Sequence, residues 1–285
     1  MSEIQNKYRR FSAGQRTEHI LLILSFTVLS ITGLPQKYPD SVWGGLMIQW
    51  LGGIEFVRII HRISATVLMA ETIYHTFSVT YKVLVKRMPL TMMQGLQDAK
   101  DAMQTLLYNF RISTQPPQMG RYTFGEKVEY WAVIWGTVIM VMTGFMLWNP
   151  IATANFFPGQ FIPAAKAAHG GEALLAVLSI VTWHIYNVHV KQFNRSMFTG
   201  YISRHEMEHE HPQELHALMA STTAVAVDEA AMQRRRRLFV PIATLIALAL
   251  SLGLYTFVTF EETAITTVPR SGAEVYVPLT PTTPP

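Results

Sequence analysis

Six of the ten histidines fall within or beside long apolar stretches: His19, His61, His75, His169, His184 and His189. An ionisable side chain in such a setting is costly to keep and marks a functional position by default. Neutral imidazole offers one ring nitrogen as a lone-pair donor, and it is a common axial ligand of haem iron. His61 and His75 are fourteen residues apart, and His169 and His184 fifteen. Helical geometry then separates each pair by about 21–22 Å and returns it to within about 40–60° of one face. Two such helices facing each other can hold two haems, one above the other, each iron gripped by an imidazole from either side. A lone histidine on an apolar helix is usually a packed core residue, but six sorted by depth and helical register form a pattern. His189, five residues past His184, points roughly 140° away. It reads as a boundary residue: a haem-propionate or quinone contact, or a ligand of a further haem.

The elements that must position these residues follow from composition. The 285 residues are 49% hydrophobic and 15% charged, against roughly a quarter charged in soluble chains. Five segments reach the length a spanning helix needs: about 19–35, 57–79, 128–148, 168–190 and 238–258. Of the 23 Lys and Arg, 18 fall before the first segment, between the second and third, or between the fourth and fifth. The positive-inside rule then puts the N-terminus in the cytoplasm and the C-terminus outside. The expected fold is all-α: an integral membrane four-helix haem-binding bundle over 1–200, a cytoplasmic connecting segment at 201–237, a fifth transmembrane helix at 238–258, and an extended Pro-rich outer tail at 259–285. Residues 88–112 carry apolar side chains at helical spacing and read as a surface helix. No internal repeat is evident. His205, His209, His211 and His216 sit among Glu206, Glu208 and Glu210 and read as a solvated face.

Some classes are excluded. With no cysteine, the chain cannot attach c-type haem or ligate an iron–sulfur cluster through thiolates. The net charge of +4 is sorted by loop and is no nucleic-acid signal. No small-residue cleavage site follows the first apolar run, so no cleaved signal peptide is expected.

Topology converts histidine position into depth. His61 and His169 open helices that run inward, so both lie in an outer layer. His19, His75 and His184 make up an inner layer, with the choice among the three open.

The stretches RTEHILLILSFTVLSITGLP, RIIHRISATVLM, RYTFGEKVEYWAVIWGTVIMVMTGFMLW and HGGEALLAVLSIVTWHIYNVHVKQFNRSMFTGYIS, in this order and topology, resemble the cytochrome b subunits of membrane-bound formate dehydrogenases and nickel–iron hydrogenases. The resemblance covers roughly 9–215. It implies two b haems in a four-helix bundle and electron exchange with menaquinone or ubiquinone near the inner face. Carried over, it gives His61 and His169 to the outer haem and His19 and His184 to the inner one. His75 departs from the family. Its spacing from His61 is similar to that of the ligand pairs in the cytochrome b of quinol:cytochrome c oxidoreductases, so His75 with His184 is an alternative inner pair, and a third haem on the spare histidines is conceivable. The family's quinone pocket corresponds to Tyr122–Lys127, where Thr123 could hydrogen-bond a quinone oxygen, Glu126 could relay protons and Gly125 lines the approach. Arg16 and Arg121 are candidates for inner propionates and Arg62 for outer ones. Gly33, Gly144, Gly170 and Gly171 could admit a flat macrocycle, or serve ordinary helix contacts.

The expected function is therefore an electron-transfer subunit of an inner-membrane respiratory complex. It would carry electrons between a quinone and an outer partner, an iron–sulfur protein or multihaem c-type cytochrome. The alternatives are a stand-alone membrane oxidoreductase acting on a small outer substrate, and a haem-free membrane anchor.

Overall fold

The computed structural model describes residues 7–191, 193–220 and 228–261. The protein is an all-α integral membrane bundle. Its long helices are α1 (Ala13–Lys37), α3 (Ile54–Leu84), α5 (Phe124–Trp148), α7 (Phe161–Ser179, continued to Lys191 in π-helical geometry) and α11 (Glu229–Thr259). Short helices fill the connections: α2 (Val42–Trp50), α4 (Leu96–Asn109), α6 (Pro150–Phe156), α8 (Ser196–Thr199), α9 (Arg204–Glu210) and α10 (Pro212–Ala220). The Pro-rich tail beyond Glu261 lies outside the described residues.

Length and composition qualify α1, α5, α7 with its continuation, and α11 to cross a membrane. Their large apolar side chains point outward: Leu24, Trp135 and Leu245 are 58–69% exposed. The seam that α1 turns inward is polar instead, with Glu18, Ser25 and Thr32 buried at seven-residue intervals. This inside-out arrangement suits a bundle whose solvent is hydrocarbon. α3 is as long as α11 but carries Glu55, Arg58, Arg62, Glu71 and Lys82.

α1 packs against α3 as an antiparallel hairpin, and α5 against α7 in the same way. α11 runs along α3: Arg235 Nε donates to the Val85 carbonyl at 3.0 Å and Phe239 meets Tyr81 at one end, while Arg62 pairs with Glu261 at 3.2 Å at the other. The starts of α1, α5 and α11 and the ends of α3 and α7 thus share one end of the bundle, the Lys- and Arg-rich one.

The helices begin where capping dictates rather than where hydropathy rises. Ser12 with Gln15 and Thr123 with Glu126 close reciprocal capping boxes at α1 and α5, each satisfying two orphan backbone donors. Both spans therefore start a turn or more earlier than their apolar residues indicate. The surface helix read at 88–112 is shorter, Leu96–Asn109. A two-stranded antiparallel ribbon, β1 (Lys7–Arg9) and β2 (Tyr201–Ser203), ties the start of the chain to the segment after α8.

That ribbon belongs to a polar assembly at the basic end. Ile202, Met207 and Leu215 form a small buried cluster under Tyr8. The buried Arg10 pairs with Glu214 at 3.1 Å and Glu126 at 3.5 Å, and Arg121 pairs with Glu214 as well. His211, expected on a solvated face, is 1% exposed and contacts the Gly120 carbonyl through Nδ1 at 2.9 Å. Burial, with the neighbouring Arg10, keeps its pKa below the usual range.

Candidate functional site

The histidines come together as two pairs at different depths. His61 (α3) faces His169 (α7) with ring centroids 6.4 Å apart. His19 (α1) faces His184, in the π-helical continuation of α7, also at 6.4 Å. Two metal–imidazole bonds of about 2.0–2.1 Å, plus roughly 1.1 Å from each ring nitrogen to its ring centre, place the centroids of two imidazoles sharing one metal about 6.3 Å apart. Both pairs therefore fit a single metal held from opposite sides.

The rings of His61 and His169 are fixed by threonines. Thr32 Oγ1 donates to the Val28 carbonyl at 2.6 Å and meets His61 Nδ1 at 2.9 Å. Thr143 Oγ1 donates to the Ile139 carbonyl at 2.6 Å and meets His169 Nδ1 at 2.9 Å. Since each hydroxyl proton is committed to a carbonyl, each hydroxyl must accept from Nδ1–H. That fixes the tautomer and leaves Nε2 of both rings as a free lone pair, the usual support of a metal-ligating histidine. The glycine after each threonine makes room for the ring. A Cβ at Gly33 would lie 3.1 Å from His61 Cε1, and one at Gly144 would lie 3.4 Å from His169 Cε1.

The His19–His184 pair is supported differently. His184 Nδ1 donates to Glu129 at 2.7 Å, a carboxylate–imidazole contact that raises ligand basicity. His19 Nδ1 is buried with no hydrogen-bond partner, a polar atom that the protein leaves unsatisfied. His75 is not in this pair. Its Nδ1 meets the buried Glu18 at 2.6 Å and its Nε2 meets the Tyr130 hydroxyl at 3.1 Å.

These contacts expose an internal repeat that the sequence reading missed. RFSAGQRTEH at 10–19 matches RYTFGEKVEY at 121–130 with a constant offset of 111 positions. The correspondence runs through Ser12 and Thr123, Glu18 and Glu129, and the Thr32-Gly33 and Thr143-Gly144 steps. IYHTFSVTYK at 73–82 likewise matches TWHIYNVHVK at 182–191. The repeats are two hairpins, α1/α3 and α5/α7. Glu18 holds His75 as Glu129 holds His184, and Thr32 holds His61 as Thr143 holds His169. The spacing of fourteen residues in α3 becomes fifteen in α7 because Ile180–His184 adopts π-helical geometry, which absorbs one extra residue. His19 and Tyr130 occupy equivalent places, so the His75–Tyr130 contact is the counterpart of the His19–His184 pair.

The other expected residues scatter. Arg16 lies near the Thr199 carbonyl with its Nε buried and unpartnered. Arg62 stacks on Trp148 at 4.3 Å, and Arg121 is engaged by Glu214 and the Arg10 carbonyl. Thr123 and Glu126 bond each other in the α5 cap, one turn from Tyr130. Gly125 faces Trp183 at ordinary contact distance, and Gly171 faces open space. Lys37 lies across Gly170. His189 is exposed and stacks near Phe193. Sequence reasoning passed over Thr32, Thr143, Glu18, Glu129 and Tyr130, whose signal was their matched placement in the two repeats.

No family model matches the chain. It is 24% identical over 208 residues to the formate dehydrogenase cytochrome b556(fdo) subunit of Escherichia coli, covering 72% of this chain and 90% of that one. The formate dehydrogenase cytochrome b556 subunit of Haemophilus influenzae matches at 23% over 214 residues, 74% and 84% of the two chains. The nitrate-inducible cytochrome b556(Fdn) subunit of Escherichia coli matches at 20% over 203 residues, 70% and 85%. The relatives and the helical membrane bundle agree with the resemblance read from the motifs: this chain is a distant relative of the cytochrome b subunit family of formate dehydrogenases.

Proposed function

We propose that this chain is a di-haem b-type cytochrome subunit of a respiratory complex in the inner membrane, passing electrons between a membrane quinone at the basic end and a redox partner at the other. The observation that carries the reading is the pair of imidazole couples, His61–His169 and His19–His184, each with the 6.4 Å separation that one shared iron requires.

The fit extends beyond distance. Thr32 and Thr143 orient the outer rings, and Glu129 orients His184. Gly33 and Gly144 leave the histidine edges clear. The buried, unpartnered His19 Nδ1 gives a reason why an imidazole is kept there. Haem, when bound, supplies one-electron chemistry at iron. The protein's part is to fix ligand geometry, set potential through groups such as Glu129, and exclude water. His75, closed onto Tyr130, stays outside the ligand set, so two haems rather than three are assigned.

The positive-inside bias supports the basic end as cytoplasmic, with five spans including α3 and α11. α3 counts as a span because its polar residues lie on a helix flanked by α1 and α11. On this reading 1–200 form the haem domain, 201–237 a cytoplasmic connection, 238–258 the fifth span and 259–285 an outer tail. Relatives named as formate dehydrogenase subunits support assembly with redox partner subunits; on this reading the partner is an iron–sulfur or multihaem c-type cytochrome subunit on the outer face. Tyr122–Lys127, with Thr123, Gly125 and Glu126, supports a quinone approach from the basic end. Lipid covers the apolar exterior.

The test is spectroscopic. The purified chain, reduced with dithionite and then in a separate sample with menadiol, should show b-type α-bands in both cases. A preparation with no haem band, reconstituted with haem and still blank, rejects the proposal.

A further inference from the structure

The short helix α4 turns its apolar side chains away from the protein. At about 100° per residue, Leu96, Ala99, Met103, Leu106 and Phe110 fall within about 80° of arc. Leu96, Met103, Leu106 and Phe110 are 52–87% exposed. The face turned to the bundle is polar instead. Asp98 and Asp101 are buried, and Asp98 pairs with Lys127 of α5 at 2.7 Å. Gln97, Lys100 and Gln104 share a third face, within about 60° of arc. A helix packed on a protein core in water has its apolar stripe inward, so α4 is built for a different surrounding.

The loop before α4 shows where that surrounding begins. Trp131 Nε1 donates to the Met92 carbonyl at 3.0 Å. Trp131 lies seven residues into α5, about 10 Å along the helix. Its neighbour Tyr130 meets His75, nine residues before the end of α3. After α3 the chain therefore turns back along the outside of the bundle. Met88, Leu90 and Met93 are each about half exposed there.

Two arginines bracket this segment. Among the described residues, Arg87 and Arg111 are the non-glycine positions with left-handed backbone, at φ 56° and 59°. Glycine takes that conformation without strain, so an arginine at each place points to a use for its side chain. Both are exposed, and neither forms an ion pair among the described residues.

We propose that the segment from Arg87 to Arg111 is an interfacial anchor that binds anionic phospholipid in the leaflet at the basic end. The loop and the α4 stripe lie at the boundary of headgroups and acyl chains. Gln97, Lys100 and Gln104 face water, and Arg87 and Arg111 take headgroup phosphates. An apolar face sunk about 5–10 Å into that boundary is the ordinary placement of an interfacial helix.

Lipid, rather than a second protein, is the occupant on two grounds. The loop and stripe continue the apolar exterior of the spanning helices, and the loop reaches the depth of Trp131, where hydrocarbon surrounds the bundle and a water-soluble partner does not reach. The unpaired guanidiniums at the two ends complement phosphate in charge and hydrogen bonding. The anchor uses no proposed haem ligand, and the Asp98–Lys127 pair joins it to the first turn of α5.

The chain contains no cysteine, so single introduced cysteines can carry a nitroxide. The full haem-loaded chain is placed in nanodiscs of phosphatidylcholine mixed with phosphatidylglycerol. Collision of the label with oxygen, which concentrates in lipid, and with a nickel chelate, which stays in water, is read by EPR. The sites are Met103→Cys and Leu106→Cys on the stripe, Lys100→Cys on the polar face, and Glu208→Cys, half exposed on α9. The two stripe labels should favour oxygen and the other two nickel, with haem content by pyridine haemochrome matching the parent. Nickel access on the stripe equal to that of Lys100→Cys overturns the proposal. Shielding of the stripe from both reagents overturns it too, since a second protein chain would then cover it. The headgroup contact is read on the unlabelled protein, from the motionally restricted fractions of chain-labelled phosphatidylglycerol and phosphatidylcholine. In Arg87→Gln/Arg111→Gln the preference for phosphatidylglycerol should fall, each arginine giving up about 5-fold at its own contact. An unchanged preference overturns the assignment of the arginines to phosphate.

Discussion

Glu129 and Glu18 are equivalent in the repeat, yet on the proposed ligation only one of them touches an iron ligand. Neutralising each in turn therefore separates the two roles. The Glu129 carboxylate lies 2.7 Å from His184 Nδ1. Crossing the ring and one ligand bond puts its charge about 7 Å from iron, so at an effective dielectric of about 20 it favours the ferric state by about 2.4 kcal/mol. With 59 mV for each tenfold change in a one-electron couple, Glu129→Gln should raise one haem potential by about 100 mV. The Glu129 side chain is 26% exposed, and solvent screening reduces this to about 50–100 mV. The other haem should move by less than about 20 mV, its ligands lying about 20 Å away along the helices. Glu18→Gln should leave the haem count at two, since Glu18 meets His75 and not a proposed ligand. The assay is a spectroelectrochemical titration of the purified variants, fitted to two one-electron couples. A shift of both potentials together, or no shift in Glu129→Gln, would refute the assignment of Glu129 to a ligand. Loss of a haem in Glu18→Gln would refute the exclusion of His75.

Other expectations follow from single contacts. In Gly33→Ala the new methyl would sit 3.1 Å from His61 Cε1, inside the usual carbon contact of about 3.5–4.0 Å. The ring must move off Thr32, and outer-haem affinity should fall about 10-fold in a haem titration; Gly144→Ala, at 3.4 Å from His169, should be nearly neutral, and the reverse order would contradict the geometry. Burial, reinforced by Glu126 and Glu206, pushes the pKa of Glu210 up to about 7 from 4.5. The folded state thus keeps a proton that the unfolded state releases, and this group costs stability progressively as pH rises from about 4.5 to about 7. Glu210→Gln should remove that slope. It should raise thermal stability in detergent at pH 8 by about 1–2 kcal/mol, a discount on the roughly 3 kcal/mol that the full shift represents, and change little at pH 4.5. Equal effects at both pH values would show that the residue acts by packing alone.

The depth sorting of histidines was legible in the sequence because apolar length, charge bias and helical period act on each helix separately. Helix starts were less so: hydropathy windows stop at Arg16 or Lys127, whereas the Ser12 and Thr123 caps carry α1 and α5 past those charges. The ribbon of Lys7–Arg9 with Tyr201–Ser203 has three residues per strand, too few for any alternation to register. The choice between His19 and His75 was open at first, since both lie at the inner depth and only the facing helices decide which ring meets His184. Glu18 and Glu129 looked like ordinary charges near helix ends until their partners were known. The repeat was hidden by two changes at its most informative positions, the histidine-to-tyrosine exchange at 19 and 130 and the π-helical extra residue before His184.

The most direct test of the proposed ligation is a pyridine haemochrome count on the purified chain and on His61→Ala, His19→Ala and His75→Ala. Two haems in the parent and in His75→Ala, with one in each of the other variants, are expected. A haem lost from His75→Ala while His19→Ala keeps both would place the inner iron on α3 and α7 and contradict the pairing described above.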